Sequence, residues 1–180
     1  LAETLTLFTS DNGGLGTSNR FEGVPTSNLP LAEGKGWVYE GGTRVCQIAY
    51  WPGHVKPGSV CRTPVTSTDF YPTILEIAGL PPKPKQHLDG VSLVPLLKGQ
   101  TPEDWRKSFY YHYYEFPGAH SVARHYGVTT GRHKLIHFYQ LGEWELFDLE
   151  KDPNELKNVY ELDAYRPVRQ NLETFQGCMR

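Results

Sequence analysis

Asp11-Asn12-Gly13-Gly14 and, further on, Gly34-Lys35-Gly36 with Gly41-Gly42 constrain this chain more than any other part of it. Thr4-Leu5-Thr6-Leu7-Phe8-Thr9 is rich in β-formers and ends at polar residues, so it reads as a strand. In an open α/β sheet, ligands gather outside the carboxyl ends of the strands, which is where Asp11 and Asn12 fall. A carboxylate and a carboxamide oxygen are hard donors that favour Ca²⁺ or Mg²⁺ over zinc or copper. Lys35, an ammonium between two glycines, adds a cation shortly after. Together these groups suit a divalent metal holding a tetrahedral anion. On the residues alone, Asp-Asn-Gly-Gly is also a common turn, and an isolated lysine is usually a solvated one.

The rest of the chain divides by pattern. Val45–Tyr50 reads as a second, buried strand, stopped by Pro52-Gly53. A helix follows, with Ser67 or Thr68 as its cap, Asp69 in its first turn and Pro72 tolerated there. Phe70, Ile74, Leu75 and Ala78 recur at helical spacing, and Gly79 with Pro81-Pro82 ends the run. Residues 80–108 are a Pro- and Lys-rich connection with a short apolar segment at Val91–Leu97. The character changes at Ser108. Phe109–Tyr114, Ser121–Thr129, His133–Tyr139 and Trp144–Leu149 are short strand-like runs separated by Gly118, Gly131-Arg132 and Leu141-Gly142-Glu143, the pattern of an antiparallel meander. Asp163 can cap a last helix that shows Val168, Leu172 and Phe175 on one face and closes at Gly177. The expected fold is α/β. Residues 1–108 form the end of a doubly wound domain. Residues 109–180 form a small α+β domain with a four-stranded antiparallel sheet and a C-terminal helix.

Composition narrows the partners. A net charge of −2 over 180 residues offers no polyanion-binding surface, which excludes nucleic acid. Aromatics at 13% suit stacking against sugars, or equally the half-exposed surface of a sheet. Three cysteines do not make a disulfide framework, and nothing in the sequence fixes a Cys46–Cys61 pair. There is no Asn-x-Ser/Thr sequon, no signal peptide and no membrane span. The chain begins at Leu1, so the expectation is a C-terminal piece of a longer protein.

The two glycine clusters, Trp51-Pro52-Gly53-His54-Val55-Lys56-Pro57-Gly58, Thr68-Asp69-Phe70-Tyr71-Pro72-Thr73 and Asp89-Gly90-Val91-Ser92-Leu93 resemble the type I sulfatases of the alkaline phosphatase superfamily. The wording from Tyr111 to Tyr160, including Lys134–Tyr139 and Glu145–Leu149, resembles the C-terminal domain of carbohydrate sulfatases. The resemblance implies an alkaline-phosphatase-like first part and hydrolysis of sulfate esters on a glycan or an aryl sulfate. It implies Asp11 and Asn12 as the last two ligands of Ca²⁺ (or Mg²⁺) and Lys35 as the lysine that contacts the sulfate. It also implies a sugar pocket flanked by the second domain, where His120, Arg124 and His125 could meet hydroxyls or carboxylates. Ordinary sheet-surface residues are the competing reading of these three.

The family's nucleophile is a formylglycine made in a Cys/Ser-x-Pro-x-Arg motif, which this chain lacks. Cys61-Arg62-Thr63-Pro64 comes nearest, with its proline one place late and the final arginine missing. The nucleophile and the first metal ligands are therefore expected upstream, and export to the periplasm or beyond follows from the same resemblance. Cys46 stands where the family usually has proline. Glu40 and Arg44 read as a pair that holds the loop. Two alternatives are a phosphodiesterase or phosphonate hydrolase of the same superfamily and a non-catalytic sugar-binding fragment.

Overall fold

The computed structural model describes residues 3–16, 26–83, 85–116, 118 and 121–178. In chain order the elements are β1 (Thr6–Thr9), α1 (Glu40–Thr43), β2 (Gln47–Tyr50), α2 (Phe70–Ile77), α3 (Val94–Leu97), β3 (Phe109–Tyr113), β4 (His125–Thr129), β5 (His133–Phe138), β6 (Glu143–Asp148) and α4 (Arg166–Cys178). Packing groups them into two units, one of Leu1–Asp11 with Cys46–Trp105 and one of Asn12–Val45 with Arg106–Arg180. The later stretch of the second unit starts at Arg106. Residues 12–45, assigned from sequence to the first domain, pack with the sheet of the second. Among the described residues no helix is long and apolar enough to cross a membrane.

In the first unit β1 and β2 pair antiparallel, with Phe8 opposite Ile48 and Thr6 opposite Tyr50. Val45–Tyr50 was expected to be buried, and this is corrected: Ile48 is 60% exposed and Tyr50 58%. A two-stranded ribbon has no layer of its own to cover its apolar side chains. The helical part is better anchored. Asp69 is fully buried, and its carboxylate accepts the N–H of Thr66 at 2.8 Å and that of Val91 at 2.9 Å. Thr73 Oγ1 donates to Asp69 O at 2.6 Å and accepts the Leu93 N–H at 2.8 Å. These bonds pin the start of α2 to the segment before α3. The helical run begins one or two residues earlier than the expected Ser67 or Thr68 cap, in a 3-10 turn over Ser67–Asp69 with Thr66 in the cap position. Leu93, Leu96 and Trp105 form the small core, with Val65 and Phe70 against it, while Ile74 stays exposed.

In the second unit the strands follow the order β3-β4-β5-β6, all antiparallel, as the meander pattern predicts. The register sorts the side chains onto two faces. One face carries Val128, Leu135 and Leu146 against Val159, which precedes the last helix, and Leu172 of α4. On that same face His112, Tyr126, His137 and Trp144 stand directly opposite one another across all four strands. His137 stacks on Trp144 with ring centroids 3.8 Å apart, and Trp144 stacks on Tyr160 at 5.6 Å. The other face carries Ile136, Phe138 and Phe147 against Val38, with Trp37 and Tyr39 alongside. Gly127 lies on this face, where a Cβ would come within 3.2 Å of Val38 Cγ2. Burying each of Leu135, Ile136 and Leu146 contributes about 1.5–3 kcal/mol, so this sheet is the main source of stability in its unit.

The last helix starts as a 3-10 turn at Asp163–Tyr165 and runs through Gly177, rather than closing there. Asp163 does not cap the backbone; its carboxylate pairs with Arg166. Leu172 is buried under the sheet, whereas Phe175 at the far end is 41% exposed.

Candidate functional site

Four glycines of the opening motifs, Gly13, Gly34, Gly41 and Gly42, are required by contact, since backbone runs against backbone there. Gly13 N–H donates to Gly42 O at 2.9 Å, Lys35 N–H to Gly14 O at 3.1 Å and Gly41 N–H to Ala32 O at 2.8 Å. Asn28 ties the same strands of chain from its side chain. Its Oδ1 accepts the Gly14 N–H at 2.9 Å, and its Nδ2 donates to Gly14 O at 2.9 Å and to Glu33 O at 3.0 Å. A Cβ on Gly13 would lie 1.7 Å from Gly41 O, one on Gly34 2.4 Å from Gly14 O, and one on Gly42 2.0 Å from Trp37 O. No side chain fits at these positions. The structure thus brings the turn after Asn12 and the loop of Lys35 together, although the two are more than twenty residues apart in sequence.

Asn12 is half-buried and belongs to this second unit, whereas Asp11 is exposed and belongs to the first. Ser10 Oγ lies 3.5 Å from Asp11 Oδ1. Among the described residues no group of three or more His, Cys, Asp or Glu could hold a metal ion. Asp11 and Asn12 fit a hard cation by the chemistry of their oxygens, but they are a minority of the roughly 6–8 oxygens that Ca²⁺ takes. Lys35 is half-buried.

Glu40 and Arg44 do approach, at 3.6 Å, yet Arg44 is largely exposed and this is the weaker of Glu40's contacts. Its stronger partner comes from β5. Lys134 is 1% exposed, and its Nζ lies 2.7 Å from Glu40 Oε1 and 2.9 Å from Glu155 Oε1. Glu155 in turn accepts the Glu40 N–H at 2.6 Å. Burial pushes the Glu155 carboxyl up, and the Lys134 ammonium pulls it back only in part. No motif of the sequence marks this group, yet its strand position signals it. Lys134 falls on the strand face it shares with Ile136 and Phe138, and a lysine there needs a carboxylate. Beside it, Tyr39 donates to Glu145. Burial first, then that carboxylate, raises the phenol, and burial likewise raises Glu145.

The three residues read as sugar contacts fare differently. His120 lies outside the described residues. Arg124 is half-buried, with its Nη2 3.4 Å from Phe116 O and its N–H donating to Gln140 Oε1 at 3.2 Å. His125 is fully buried. It accepts the Val38 N–H at Nε2 (3.1 Å), its Nδ1 lies 2.7 Å from Ala123 O, and its ring packs between Trp37, Tyr113 and Phe138. A ring with both nitrogens engaged and no exposed edge cannot read a sugar, so for His125 the expectation is corrected to a structural role. Burial lowers its pKa, keeping it neutral.

Residues 33–176 match the model of the N-sulphoglucosamine sulphohydrolase C-terminal region. The chain is similar to an N-acetylglucosamine-6-O-sulfatase of Bacteroides thetaiotaomicron, 39% identical over 176 residues that cover 96% of this chain and 29% of that protein. Its fold is similar to that of a solved protein in complex with its substrate D-glucosamine-2-N,6-O-disulfate. That likeness has a TM-score of 0.72 at 40% identity and covers 77% of this chain and 28% of the other. A phosphonate monoester hydrolase of Agrobacterium radiobacter is also similar, with a TM-score of 0.73 at 28% identity over 98% of this chain and 34% of that one. The chain thus spans less than a third of the length of the curated sulfatase it matches.

Proposed function

The chain belongs to the sulfatase family, through the C-terminal region of the N-sulphoglucosamine sulphohydrolases, and on that premise we propose that it is the C-terminal portion of a sulfuric ester hydrolase acting on sulfated carbohydrates. The observation that carries this reading is the family match over residues 33–176, which takes in Lys35 and the whole β3–β6 sheet. In this reading residues 1–108 close the catalytic domain, residues 109–180 form the small second domain, and the protein is exported.

Lys35 contacts the sulfate. An ammonium held on a loop that is hydrogen-bonded on both sides is pre-organised to stabilise charge on the sulfuryl oxygens, with no reorganisation at the moment of reaction. The bonds of Lys35 N–H to Gly14 O and of Trp37 N–H to Gly34 O support this reading. Asp11 and Asn12 would hold Ca²⁺ (or Mg²⁺), which supplies Lewis-acid stabilisation of the anion when bound. The remaining ligands and the formylglycine come from elsewhere, because no Cys or Ser in this chain has proline at +2 and arginine at +4. Arg124 and His120 remain as candidate sugar contacts.

In the intact protein, Lys35→Ala is expected to lower kcat/KM on 4-nitrophenyl sulfate by about 10²-fold or more. A loss of less than a few-fold would return Lys35 to the solvated surface. Asp11→Ala should remove bound calcium and activity together, and unchanged metal content would refute its role. The likeness to a phosphonate monoester hydrolase favours one second reading, cleavage of phosphonate monoesters. Faster turnover of a phenylphosphonate monoester than of 4-nitrophenyl sulfate would select it.

A further inference from the structure

Lys134 is an ammonium removed from water, on a strand more than ninety residues downstream of the Lys35 loop, and the proposed chemistry does not use it. Two carboxylates hold it. Glu40 opens α1, the short glycine-bearing turn, and Glu155 follows β6 in the chain. Glu155 reaches its place with a left-handed backbone, φ 55, which a side chain of its kind rarely adopts. That conformation lets one oxygen meet Lys134 while the other accepts the Glu40 N–H at 2.6 Å. Glu40 is therefore fixed at two points, at its carboxylate by Lys134 and at its backbone by Glu155.

What Glu40 fixes in turn is the glycine contact surface. The next two residues, Gly41 and Gly42, carry the N–H that donates to Ala32 O and the carbonyl that accepts from Gly13. Lys35 lies within the loop those bonds close, held by Gly14 O on its own N–H. Because Gly13, Gly41 and Gly42 press on backbone atoms of Gly41, Ala32 and Trp37 with no room for a Cβ, a shift of α1 is passed on and not absorbed by side-chain rotation. We propose that Lys134 and Glu155 are positioning residues for Lys35, acting through Glu40 and the Gly41-Gly42 turn to hold the sulfate-binding loop in one arrangement. This rests on the reading of Lys35 given above. The sheet face opposite α4 is thereby part of the site's support, and the ion triad joins the sheet to α1 beside the Val38–His125 and Tyr39–Glu145 hydrogen bonds.

The test uses the intact protein and two readouts. Lys134→Met should lower kcat on 4-nitrophenyl sulfate at least 10-fold, and the double variant Lys35→Ala/Lys134→Met should be no slower than Lys35→Ala alone, since residues acting through one another are non-additive. Additive losses would overturn the positioning role. A Lys35→Ala variant with wild-type kcat/KM would instead overturn the sulfate reading and leave the second readout to decide on the triad. That readout is amide hydrogen exchange in the near-isosteric Glu155→Gln variant, which also serves if Lys134→Met does not fold. The amides of Gly13, Lys35 and Trp37 should exchange at least 10-fold faster while those of β5 and β6 are unchanged. Unchanged exchange at the loop, or an equal rise everywhere, refutes the proposal.

Discussion

His125 accepts the Val38 N–H at Nε2, so its ring proton must lie on Nδ1, facing Ala123 O. A second proton would leave the Val38 N–H without an acceptor, and burial already lowers the pKa. His133 and His137 are lowered by burial in the same sense. A group whose folded pKa is depressed contributes stability that is complete above its unfolded value, about 6.5 for histidine, and is lost as pH falls below it. The urea midpoint of the protein should therefore drop between pH 7.5 and pH 5.5. His125→Phe should give a lower midpoint with a flatter pH dependence, because it strands the Val38 N–H but no longer titrates. A midpoint that ignores this pH range would contradict a buried neutral ring. A second step is expected in acid. Burial would raise Asp148, but hydrogen bonds from Tyr165, Lys151 and Arg132 outweigh it and hold the carboxyl at about 2. Its stabilising share is present above about pH 4 and is lost as pH falls towards 2.

Glycine contacts and helix faces set the sensitivity of the elements. Gly41→Ala puts a Cβ 2.2 Å from Ala32 O and 2.4 Å from Glu33 O, both backbone atoms that cannot turn aside. It should cost about 3 kcal/mol, near the upper end for overpacking. Gly142→Ala meets no atom within 4 Å and should cost only about 1 kcal/mol, for its φ of +71. On α4, Leu172→Ala removes a side chain buried against Val128, Leu135 and Leu146 and should cost about 2–5 kcal/mol. Phe175→Ala, on the exposed end, should cost under about 1 kcal/mol. Urea titrations of the four variants check the order. A Gly142 variant as damaged as the Gly41 variant would mean that close approach is not what selects glycine here.

For the whole molecule, the 180-residue chain by itself should show no turnover of 4-nitrophenyl sulfate above a heat-killed control, because nothing in it can become a formylglycine. Turnover by the purified chain would overturn the reading. What the sequence by itself determined is what neighbours in the chain can specify. Short β-forming runs between glycine-bearing turns made the β3–β6 meander legible, and period 3.6 marked α2 and α4. The wording around Asp11, Asn12 and Lys35 made the family legible. What only the tertiary structure decided is who meets whom after the chain returns. Residues 12–45 pack with the second sheet, His125 closes over Val38, and Lys134 finds Glu40 ninety-four positions away. Local patterning says that a lysine on a buried strand face must have a carboxylate. Which of the chain's many carboxylates answers it depends on the path of the backbone through space.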